Sequence, residues 1–124
     1  MDTPALALIA ARPMSLRYSL LALLARLPQI ESIQSVEDPR SMLAVMSVTQ
    51  PRLVVLDVNL LGEDHHSVLM QIKTIAPRAR LVVFVDQIEQ QQELMVTPAD
   101  LVLVKGYPAA ELFNRIEQLL TQEN

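Results

Sequence analysis

The chain has 124 residues, 51% of them hydrophobic and 19% charged, which supplies the core of one domain and excludes an intrinsically disordered chain. Its formal net charge is −4 and its Lys and Arg residues are scattered, so no basic stripe can follow a phosphate backbone and direct nucleic-acid binding is not expected. The absence of cysteine rules out disulfides, thiolate metal sites and Cys nucleophiles. The apolar stretch 16–27 is interrupted by Arg17 and Arg26 and is too short to span a bilayer, so a soluble cytoplasmic protein is expected.

Residues 5–11 form an apolar run that reads as a buried strand, although its alanines also suit a helix. Pro13 fits the first turn of a helix, and Leu16, Leu20, Leu23, Leu24 and Leu27 recur at three- and four-residue steps on one face down to Pro28. Residues 30–36 alternate without a clean face and suit a short edge strand. Asp38-Pro39 has the form of an N-cap followed by proline at the first helical position, with Met42, Leu43, Val45 and Met46 as the apolar face and Pro51 as the stop.

Leu53, Val54, Val55 and Leu56 are consecutive apolar residues, the pattern of a strand covered on both faces in a parallel sheet. Asp57 follows at once. Sites in open parallel sheets lie just beyond the carboxyl ends of the strands, so an acid there either serves chemistry or is a solvated strand end. The loop 60–66 leads to a helix that turns Val68, Leu69, Ile72 and Ile75 inward, and Pro77 closes it. Residues 81–85 are another buried strand. The Gln-rich segment 86–93 predicts a weak, solvent-facing helix at most, ended by Pro98. Residues 101–104 are the fifth strand, with Lys105-Gly106 at its end. Residues 108–120 form a last helix with Leu112, Phe113, Ile116, Leu119 and Leu120 inward. Five alternations of strand and helix predict one domain over 1–124, an α/β doubly wound five-stranded parallel sheet with helices on both faces.

With that order, the segment Pro51-Arg52-Leu53-Val54-Val55-Leu56-Asp57-Val58-Asn59, the start Leu8-Ile9-Ala10, and Ala99-Asp100 ahead of Val104-Lys105 carry a resemblance. The chain resembles the receiver domain of two-component response regulators, closest to receivers that precede helix-turn-helix DNA-binding domains. The resemblance covers nearly the whole chain and implies the flavodoxin-like strand order 2-1-3-4-5. It implies Asp57 as the phospho-acceptor equivalent and Lys105 as the phosphate-contact equivalent.

Phosphoryl transfer to a carboxylate depends on positioning and charge neutralisation, and Mg²⁺ provides both if enough oxygens hold it. The family supplies them from an acidic pair ending the first strand; here the matching positions are Ala11 and Arg12. Asp57 against Lys105 and Arg12 leaves a net positive pocket, so weak or absent Mg²⁺ binding is expected, with no cofactor. Arg12 either fills the metal's volume and pairs with Asp57, or extends to solvent. The family's hydroxyl and aromatic switch positions fall on Val85 and Val102, which can make neither the hydrogen bond nor the ring rotation.

These departures predict a degenerate receiver, a phosphorylation-independent protein-interaction module without enzymatic turnover. Its partner would be a protein or a second copy. The interface would be the fourth helix, fifth strand and fifth helix, a face including Leu94, Met95, Tyr107, Leu112 and Arg115. The alternatives are a receiver still phosphorylated at Asp57, possibly the input domain of a transcriptional regulator whose output domain would begin past Asn124, and a small-anion sensor using Arg12 and Lys105. The cluster Glu63-Asp64-His65-His66 lacks the spacing of a metal site and reads as a solvated loop, and Met42, Met46 and Met70 read as packing.

Overall fold

The computed structural model describes residues 5–122. Strands β1 (Leu6–Ala10), β2 (Ser32–Val36), β3 (Leu53–Asp57), β4 (Arg80–Val85) and β5 (Leu101–Val104) form one sheet, all neighbours parallel, in the order β2-β1-β3-β4-β5. The helices between and after them are α1 (Ser15–Leu24), α2 (Pro39–Thr49), α3 (His65–Ile75), α4 (Ile88–Leu94) and α5 (Ala109–Thr121).

The uninterrupted apolar runs follow from this layering, since successive side chains of a strand enter opposite cores. Leu8, Val54, Leu56, Val83 and Val85 pack with Met42, Met46, Leu69, Ile72 and Leu94 beneath α2, α3 and α4. Ile9, Leu53, Val55, Val82 and Phe84 pack with Leu20, Leu24, Leu112, Ile116 and Leu120 beneath α1 and α5.

Local chemistry sets the helix ends. The Asp38 carboxylate accepts from Ser41 N at 2.8 Å, with Pro39 next to it, so α2 starts where the sequence pattern places it. Its end is a left-handed Gln50 (φ 50°), whose Nε2 donates to Ile75 O at 3.1 Å and ties α2 to the end of α3. At the base of the sheet, Arg52 and Arg80 donate to Leu120 O (3.1 Å) and Gln122 O (2.9 Å), satisfying carbonyls at the end of α5. Asp100 accepts there from Leu81 N and from Lys73 Nζ, each at 2.7 Å, fixing β5 against β4.

Three expectations change in detail. Pro13 precedes α1, whose N-cap is Met14, and α1 ends at Leu24 with Leu27 buried beyond it. Met70 is exposed on the outer side of α3 while Met42 and Met46 are core. The Gln-rich segment is a true helix of seven residues, ending at Leu94 well before Pro98.

Candidate functional site at the carboxyl end of the sheet

β3, β4 and β5 end side by side, and each delivers one charged residue: Asp57 as the last residue of β3, Asp86 just after β4 and Lys105 just after β5. Lys105 N donates to Val85 O at 2.9 Å, so the ladder runs one residue past β5 and directs the lysine side chain across the strand ends. Its Nζ lies 2.9 Å from Asp57 Oδ2 and 2.8 Å from Asp86 Oδ1. Asn59 closes the ring: its backbone N–H donates to Asp57 Oδ1 at 3.0 Å and its Nδ2 to Asp86 Oδ2 at 2.9 Å. Each of the four carboxylate oxygens accepts one hydrogen bond. The side chains grade from Asp57, 17% exposed, through Lys105 at 28% to Asp86 at 43%.

Electrostatics follows from this ring. Asp86 is held below the usual carboxylate range, chiefly by the hydrogen bond from Lys105 and then by that from Asn59. Burial of the Lys105 ammonium is the largest single influence on that residue and opposes its charge. The hydrogen bonds and attraction of Asp86 and Asp57 outweigh it, leaving the lysine above its ordinary value.

The site is wired to α4. Gln90 Oε1 accepts from Asp86 N at 2.8 Å and Gln87 N at 3.0 Å, and Gln91 Nε2 donates to Val102 O at 2.7 Å. Val85 and Val102, the positions matched to the family's switch residues, are buried apolar side chains in the core under α4.

Of the residues singled out in the sequence, Asp57 and Lys105 come together. Arg12 does not join them: it is exposed past the end of β1, and among the described residues the cation paired with Asp57 is Lys105. Ala11 is buried beyond Ala10, which pairs with Leu56, so β1 presents a methyl group at this end of the sheet. The net-positive pocket is therefore corrected. With Arg12 outside and Asp86 inside, two carboxylates face one ammonium and the ring carries one net negative charge. Asp86 and Asn59's amide were the residues missed. The signal for Asp86 was present, an acid directly after a buried apolar strand, the same pattern that marks Asp57.

Leu94 and Leu112 are also corrected: at 1% and 6% exposure they are core anchors of α4 and α5, not surface. Met95, at 73%, and Arg115 are exposed, while Tyr107 is half-buried and its hydroxyl accepts from Arg115 Nη1 at 3.3 Å. Glu63 and Asp64 lie in a single 3-10 turn, and His65 and His66 begin α3. Among the described residues no group of three or more His, Asp or Glu could hold a metal ion, and no helix is long and apolar enough to cross a membrane.

No protein-family model and no curated protein matches the chain. Solved structures do. A two-component response regulator of the LuxR family from Aurantimonas superposes with a TM-score of 0.77 at 22% identity, covering 96% of this chain and 86% of that one. The signal receiver domain of the putative response regulator NarL from Mycobacterium tuberculosis gives 0.79 at 13% identity, covering 98% and 100%. The response regulator domain of Thermotoga maritima CheB gives 0.76 at 13%, covering 99% and 100%. In strand order, helix placement and extent, this chain has the fold of the response-regulator receiver domains.

Proposed function

We propose that the chain is a receiver-type signalling module that works by protein contact, without turnover and without Mg²⁺-dependent phosphoryl transfer. The observation that carries this reading is the closed ring at the strand ends, in which Lys105 bridges Asp57 and Asp86. Mg²⁺ takes about six oxygens at close to 2.1 Å. Here the carboxylate oxygens are already engaged, and β1 brings only Ala10 and Ala11, since the sequence has no acid between Asp2 and Glu31. A divalent cation would have to displace Lys105. The valines at positions 85 and 102 leave no hydroxyl to meet a phosphoryl group and no ring to turn.

The contact surface in this reading is the outer side of α4, β5 and α5: Ile88, Met95 and Val96 are exposed large apolar residues in and just after α4, and Arg115 is exposed on α5 against Tyr107. A protein partner or a second copy would cover them.

The geometry that favours a second reading is the same short Lys105 to Asp57 contact, which would suit a phosphorylated Asp57 once the carboxylate was modified. Beryllofluoride with Mg²⁺ separates the two. The proposed reading expects no saturable amide shifts at Asp57, Val85 or Lys105. Saturable shifts spreading into β5 and α5, and lost in Asp57→Asn, would replace it with a working phospho-acceptor.

A further inference from the structure

On the opposite side of the sheet from α4, helices α1 and α5 and the segment after β5 line a groove of about 960 Å³. Its lining is mainly apolar, with Leu16, Leu23, Phe84, Leu112 and Phe113 in it, and Ser15, Ser19 and Asn114 add neutral polar groups. Ligand sites span roughly 300 to 1,000 Å³ and combine such walls with a few polar groups. On the α1 side the helical part of the lining runs from Ser15 to Leu23, about 12 Å at the helical rise per residue, with Arg26 just past the helix end. That is the length of an extended medium-chain acyl group.

Charge narrows the occupant. Arg26 and Lys105 are the charged residues of the lining, both cationic, in a chain whose formal charge is −4. Lys105 is committed to Asp57 and Asp86. Arg26 lies 5.6 Å from the Phe113 ring centroid, and among the described residues no carboxylate is paired with it. Its guanidinium therefore stands over an aromatic wall at one end of an apolar trough with its donors open to an anion.

We propose that the groove between α1 and α5 binds a small amphipathic carboxylate, its acid paired with Arg26 and its apolar body lying along Leu16, Leu23 and Phe113. This ligand site goes beyond the signalling reading and stands or falls separately from it.

The test uses the whole chain and decanoate below its micelle concentration, with decanol as the neutral probe, followed by calorimetry and amide NMR. The expected result is one saturable decanoate site per chain with shifts at Leu23, Ala110 and Phe113. Affinity should fall about tenfold for decanol and for Arg26→Gln, the loss of one charge-assisted hydrogen bond. Ala22→Glu, an exposed change in the lining, should abolish binding while the chain stays folded. Three results would overturn the proposal. They are no saturable binding, binding that ignores both the acid group and Arg26, and a concentration-dependent dimer in sedimentation that Ala22→Glu dissociates, which would assign the groove to a second copy.

Discussion

Lys105 is poised between desolvation, which disfavours its charge, and two carboxylates that restore it; the balance raises its pKa above the ordinary 10.5. Stability from a raised lysine is fully present below 10.5 and is lost as pH rises through the higher folded value. Asp86 has the opposite sign: its folded pKa lies below 3.8, so its contribution is present above 3.8 and is lost as pH falls through the lower folded value. Replacing Lys105 by Met leaves two carboxylates facing each other without a cation. Because the group is partly solvated, the expected cost is only about 1 kcal/mol. That gap between wild type and Lys105→Met should stay flat from about pH 5 to about pH 9 and close in acid and in strong alkali. Urea unfolding across pH measures it, and a gap that changes near neutrality would mean the ring is not what Lys105 stabilises. At this scale Asp57 and Lys105 were legible because strand ends are legible. Arg12 was not, because its direction depends on how the chain leaves β1, which no periodicity encodes. Asp86 was not legible because it opens the polar run 86–93, in which an acid at a strand end looks like one more solvated residue.

Among the elements, α4 is the one whose sequence says least. Leu94 is its one fully buried side chain, so no apolar repeat marks its inner face, and the Gln-rich run reads as solvent-facing. What holds it is a single core anchor plus the Gln90 and Gln91 side-chain bonds to the ends of β4 and to β5. By contrast, α2 announces its start through Asp38 and Pro39, and α3 its inner face through Leu69 and Ile72. A short helix with one anchor should be sensitive there and tolerant beside it. Leu94→Ala is expected to cost about 2 to 4 kcal/mol through the cavity it leaves. Hydrogen exchange should localise the loss first to α4 amides. Met95→Ala, one residue away and exposed, should stay within about 0.5 kcal/mol and show its effect, if the contact surface is used, in association. Equal destabilisation by the two changes would contradict the assignment of Leu94 to the core and Met95 to the surface.

Across the whole molecule, one five-stranded sheet is shared by two cores whose buried side chains form separate clusters among the described residues. This much was fully legible: continuous apolar strands alternating with amphipathic helices leave few other solutions. The arrangement places the charged ring at the carboxyl ends of the central strands. The clamps of Arg52, Arg80, Asp100 and Lys73 sit at the other end. Sharing a sheet makes unfolding a single event even though the cores are separate, because neither set of helices has a partner once the strands part. Met46 belongs to one core and Ile116 to the other, both fully buried. Each alanine substitution should lower the same transition, by about 2 to 5 kcal/mol. With the sheet between them and no shared neighbours, the double variant should lose the sum to within about 0.5 kcal/mol. Calorimetry and urea unfolding of the two single variants and the double decide it. Two resolved transitions would show that the cores melt independently, and a large coupling energy would show that strain passes through the sheet, which would make a ligand in the α1 and α5 groove able to reach the α4 surface.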